Sequence, residues 1–124
     1  MRMILTVAGL LSALAAGEAG AATSHPVRLE CRGGAVAEPL CAALRAELLR
    51  RGHSLAEDAP LRLVLWAEAP DPSALVARLD LEDDGQWRQG EPGTLAVIDR
   101  RVLPGRQLQD FAAALLDRAG PGFQ

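Results

Sequence analysis

The chain has 124 residues, 49% of them hydrophobic and 23% charged, with a formal net charge of −3. All 13 basic residues are arginine and they are scattered along the chain, so no basic face is offered to phosphate and nucleic acid is excluded as a partner. With two cysteines and no internal repeat, this is the material of one small domain with a modest core.

The first element in chain order is a leader. Arg2 forms a short positive region, Ile4 to Ala16 is an unbroken apolar and small-residue run, and Glu18 ends it. A run of about 13 residues falls short of the roughly 20 needed to cross the hydrocarbon core, so residues 1–21 read as a cleaved signal peptide, leaving no transmembrane helix. Ala19-Gly20-Ala21 releases a chain starting at Ala22, and Gly20-Ala21-Ala22 one starting at Thr23; the first fits the small-x-small rule better. Expectation therefore places the mature protein in the periplasm of a bacterium or outside the cell, as a single domain over 22–124 with loose ends at 22–26 and 121–124.

From Val27 apolar residues alternate, with Val27, Leu29 and Cys31 on one side, which predicts a half-buried strand that Gly33-Gly34 stops. Leu40, Cys41, Leu44 and Leu48 then recur at helical spacing, leaving Arg45, Glu47, Arg50 and Arg51 mostly outside the stripe. Pro39 suits the first turn of this helix and Gly52 the position after its last. His53, just beyond, is expected to cap the final carbonyls. Leu61, Leu63, Leu65 and Ala67 alternate in a second strand, and beyond the Pro70-Asp71-Pro72-Ser73 turn Leu75, Ala77, Leu79 and Leu81 alternate in a third, paired as an antiparallel hairpin. A polar connection leads to a short fourth strand at 94–99 and an amphipathic helix with Leu108, Phe111, Ala112 and Leu115 inward. The expected fold is α+β in the order β-α-β-β-β-α, a four-stranded mixed sheet with both helices on one face and a right-handed parallel first unit. Several small envelope domains, those of lipopolysaccharide-assembly lipoproteins among them, share this order without sharing a motif with this chain, so no residue role follows from it.

Cys31 falls on the inward parity of the first strand and Cys41 on the inward stripe of the first helix. If that helix covers that face, the two thiols meet, and an exported compartment oxidises them to a disulfide. Their spacing is wrong for a Cys-x-x-Cys redox motif, and with His25 and His53 it matches no common zinc pattern.

Catalytic parts are sparse. The hydroxyls of Thr23, Ser24, Ser54, Ser73 and Thr94 have only His25 and His53 as bases, so a small hydrolase ranks third among the functions considered. The stretch "DLEDDGQWRQGE" nearly fits a calcium loop at Asp80, Glu82, Asp84, Gly85 and Glu91, but Glu82 stands where Asp or Asn belongs and a strand enters where a helix belongs, so a charged hairpin tip is preferred to an ion loop. A chain cut after Ala22 begins Thr23-Ser24-His25, whose amine, two amides and imidazole suit Cu(II) or Ni(II). These two metal sites define the second function, a small metal-handling protein; no cofactor is called for.

What remains is a surface. On the sheet face away from the helices the alternation places Val64, Trp66, Val76 and Ile98, rimmed by Arg62, Glu68, Arg78 and Asp80, unless the loop carrying Trp87 folds over them. Apolar area with a polar rim is the form of a protein-binding site. The first expectation is thus an exported, non-catalytic envelope protein that binds a protein or an amphiphile through this open face, with Val64, Trp66, Val76, Arg78 and Ile98 as contacts.

Overall fold

Alternation and helical periodicity resolve into nine elements in a computed structural model that describes residues 25–96, 105–120 and 123. They are β1 (Pro26–Arg32), a single 3-10 turn (Gly34–Val36), α1 (Glu38–Arg50), β2 (Ser54–Leu55), β3 (Leu61–Asp71), β4 (Ala74–Asp83), β5 (Gln86–Arg88), β6 (Gly93–Ala96) and α2 (Gly105–Ala119). The leader read at 1–21, residues 22–24, 121–122 and 124 of the expected loose ends, and 97–99 of the expected fourth strand, Ile98 included, lie outside the described residues, whereas Pro26 already belongs to β1 and Phe123 is buried.

The sheet is α+β and mixed, as expected, but it has six strands where four were expected. β1 lies parallel to β3 with Cys31 opposite Leu65, β3 and β4 form an antiparallel hairpin, and β2 adds a parallel edge beside Pro26 and Val27. The two additional strands have two and three residues, too few for a period-2 pattern to register in the sequence. β4 also departs from a simple meander. Its outer edge is shared, with β6 pairing its first half and β5 its last three residues. The β4–β5 turn is Asp84-Gly85, both at positive φ (56° and 82°), the two-residue hairpin geometry that Asp-Gly favours.

Both helices cover the sheet side that carries Leu63, Leu65, Ala67, Leu75, Ala77 and Leu79. α1 contributes Leu40, Leu44 and Leu48 and α2 contributes Phe111, Ala112, Leu115 and Leu116 to the same core. Each fully buried leucine is worth about 1.5–3 kcal/mol relative to exposure, and these contacts hold the helices to the sheet. Cys31 and Cys41 are joined by a disulfide with their Cα atoms 6.1 Å apart, tying β1 to the first turns of α1. Pro39 stands in the first turn of α1, as expected.

Two sequence expectations about α1 are corrected. The helix end is closed by backbone, with Gly52 N–H donating to Leu49 and His53 N–H to Leu48, so the His53 ring is not its cap. Glu47, expected outside the apolar stripe, is 2% exposed. α2 packs alongside α1, so the buried arc of α1 is wider than a sheet alone would make it and takes in Ala43 and Glu47. The carboxylate is met there by Arg50, by Arg51 Nε at 2.8 Å and by Gln109 Nε2 at 3.0 Å from α2. Arg51 continues to Asp117 at 2.9 Å and to the main-chain oxygens of Ala113 and Phe123. The hydrogen bond from Arg50 first, then those from Arg51 and Gln109, outweigh burial and hold the Glu47 carboxyl at about 2.

Candidate functional site

The helix-free side of the sheet is built from cross-strand rows. In the first, Arg62 of β3 stands between Glu30 of β1 and Glu82 of β4. Its Nε and Nη2 reach the two oxygens of Glu30, each at 2.9 Å, and its Nη1 reaches Glu82 at 2.9 Å. This two-pronged geometry is what a planar guanidinium offers a carboxylate. Trp87 on β5 lies beside it, with the Arg62 guanidinium 5.1 Å from the ring centre. Hydrogen bonds from Arg62 and then from Arg32 hold the Glu30 carboxyl at about 2, and Glu30 and Glu82 together push Arg62 up from its ordinary value.

The next row runs through Val64 and Asp80, which face each other across the β3–β4 ladder. Val64 lies on this face as its parity requires but is only 1% exposed, so it adds nothing to the accessible surface. Asp80, 8% exposed, accepts the Gly90 N–H at 3.1 Å and pairs with Arg78 at 3.2 Å. Gly90 fits because it has no side chain: a Cβ there would lie 2.0 Å from the Leu79 carbonyl oxygen. The chain that follows β5 is thus held against β4 at Leu79 and Asp80 through Gly90, and Trp66 stays open.

Trp66 forms the third row with Arg32 and Arg78, its neighbours in register on β1 and β4. Their guanidinium carbons sit 5.4 and 5.3 Å from its ring centre, and the tryptophan remains 40% exposed. Val76 is half-buried opposite Glu68, and on its other side faces Thr94 of β6. The face is thus an aromatic plate held between two cations, bordered by a paired Arg62–Glu30–Glu82 cluster and a second exposed tryptophan, Trp87. Sequence parity found Trp66, Val76 and Arg78. It missed Arg32 and Glu30, because which β1 residue meets which β3 residue depends on register.

The acidic hairpin is arranged for structure. Glu82 is committed to Arg62, Asp80 to Arg78 and Gly90, Asp84 shapes the turn, and Glu91 is exposed. Among the described residues no three His, Cys, Asp or Glu side chains converge. The neighbouring His53 and Ser54 diverge, as expected: Ser54 is exposed on β2, whereas the His53 ring is buried with its centre 5.3 Å from that of Phe123. The His25 ring also lies near that of His53, with ring centres 6.4 Å apart, a pairing that sequence reasoning did not find. No helix among the described residues is long and apolar enough to cross a membrane.

No protein-family model matches the chain, and no curated protein matches it. In structure it is similar to a PelC dodecamer from Paraburkholderia phytofirmans, at 13% identity and a TM-score of 0.55, over 77% of this chain and 85% of that one. It is also similar to a minor lipoprotein from Acinetobacter baumannii, at 18% identity and a TM-score of 0.49, over 72% and 87% of the respective chains. At 13% identity the PelC likeness is one of fold.

Proposed function

We propose that the protein is exported to the bacterial envelope and works there by binding a protein or an amphiphile on its open sheet face, without catalysis. The observation that carries this reading is Trp66, 40% exposed on the helix-free side and fixed between Arg32 and Arg78. A large aromatic already held in place loses little freedom on contact, and aromatic and arginine side chains dominate binding energy at interfaces. The leader at 1–21 supports export, and the Cys31–Cys41 disulfide suits an oxidising compartment.

The test begins with fractionation of cells producing the full chain, followed by cross-linking and co-purification from the envelope. Trp66→Ala is compared with Leu49→Ala, whose target is 57% exposed on α1, away from the sheet. Loss of a specific partner in the first variant alone supports the reading; equal recovery of every partner from both variants sinks it. Because PelC is a dodecamer, a second copy of this chain counts among the partners, and sedimentation of both variants reports it.

A further inference from the structure

We propose that His25 and His53 form a two-imidazole site for a borderline divalent transition metal of the Zn(II), Cu(II) or Ni(II) class. The site is independent of the sheet face and of any partner bound there.

The backbone brings the two residues together. β1 and β2 run parallel with Pro26 opposite Ser54, and the Ser54 N–H donates to the His25 carbonyl at 3.3 Å. His25 and His53 are the residues immediately before that matched pair, so they enter the two strands side by side. Their ring centres are 6.4 Å apart with the planes inclined by 36°. Metal–nitrogen bonds of about 2.0–2.1 Å place the centres of two imidazoles on one ion roughly 5 to 6 Å apart. A movement of roughly 0.4 to 1.4 Å by the exposed His25 side chain closes that difference, within the freedom of an exposed rotamer.

His53 is the fixed half. Its N–H is tied to Leu48 at the end of α1, its ring lies against Phe123, and the residue is 7% exposed. Phe123 is itself 2% exposed, and its carbonyl is held by Arg51. The second observation is chemical: His53 Nδ1 is buried and has no hydrogen-bond partner among the described residues. Buried polar atoms without partners are uncommon in folded proteins, and an imidazole nitrogen is one that metal coordination can satisfy. Imidazole donors favour zinc, copper and nickel over calcium or magnesium, which want oxygen. With no third protein ligand grouped with them among the described residues, water fills the remaining positions.

The test uses the full chain purified after export and stripped with a chelator, with Zn(II) as the probe because it does not need deprotonated backbone amides. Calorimetry is expected to show one saturable equivalent. Nuclear magnetic resonance of the imidazoles is expected to show both rings shifting together over the same titration, and the melting temperature is expected to rise. His25→Ala and His53→Ala should each weaken binding at least tenfold. Since loss of the buried ring can unfold the domain, the wild-type resonance experiment decides on its own. Zinc that shifts only His25, or neither ring, overturns the proposal, as does a folded His53→Ala variant that binds as tightly as the wild type.

Discussion

Replacing Glu47 with glutamine keeps the shape of the side chain and removes the charge that Arg50, Arg51 and Gln109 at the α1–α2 seam are arranged around. The carboxyl is held at about 2 against an ordinary 4.5; a tenfold change in acid strength is equivalent to about 1.4 kcal/mol, so this corresponds to about 3 kcal/mol of folding free energy at neutral pH. Arg50 is 68% exposed and its share is screened by water, whereas Arg51, 14% exposed, is left facing an amide, so about 2 kcal/mol is the expected loss for Glu47→Gln. For a domain of this size that is a fall of roughly 8–16 °C in melting temperature. The carboxyl is depressed in the folded state, so its contribution is fully present above pH 4.5 and disappears as the pH falls through about 2. Urea unfolding of wild type and variant at a series of pH values from 7 to 2 therefore has a defined form. The two curves should be separated at pH 7, converge below pH 4.5 and meet near pH 2. A separation that stays constant with pH, or one below about 0.5 kcal/mol at pH 7, would show that the seam is held by packing and that the charge is incidental.

Reducing the Cys31–Cys41 bond frees a loop whose ends are 10 residues apart, and the chain-entropy relation gives a loss of about 3 kcal/mol, read as a lower urea midpoint with and without reductant. Two titratable thiols in the unreduced, denatured protein would contradict the pairing itself. Gly90→Ala puts a methyl into the Leu79 carbonyl and should cost about 1–3 kcal/mol, with faster hydrogen exchange at residue 90; an unchanged urea midpoint would mean the loop does not lie on β4 as described. In Arg62→Met the Glu30 carboxyl should rise from about 2 toward the ordinary carboxylate range, followed by resonance against pH, and a carboxyl that stays near 2 would transfer the effect from Arg62 to Arg32.

The parts of the fold that follow from local spacing were legible in the sequence. The alternation at Leu61, Leu63 and Leu65, the stripe at Leu40, Leu44 and Leu48, and the inward parity of both cysteines depend only on periods of 2 and 3.6, and the structure follows them. What escaped depends on partners distant in the chain. Glu47 is buried because a second helix lies beside it, which helix periodicity against a sheet does not report. Arg32 reaches Trp66 because β1 and β3 are parallel in one particular register. The pairing of His25 with His53 rests on a two-residue strand that has no pattern of its own. One miss had a local signal: Asp84-Gly85 is a hairpin turn sequence at the expected charged tip, but the returning strand at Gln86–Arg88 has three residues, too few to show an alternation of its own.

The shared edge of β4 bears on how the molecule meets its neighbours in a crowded compartment. A ten-residue strand with a free side would be a template on which another chain could extend the sheet. Here that side is occupied in three pieces: β6 along Ala74–Ala77, the Gly90 backbone against Leu79 and Asp80, and β5 along Leu81–Asp83. At the opposite margin β2 covers only the first two residues of β1, and the stretch beyond it alternates Arg28, Glu30 and Arg32 with apolar residues. Charges at every second position discourage an incoming strand on that side. Growth of fibrils by edge-to-edge addition is thereby opposed at both margins, by physical cover at one and by charge at the other, while the flat of the sheet stays available for contact.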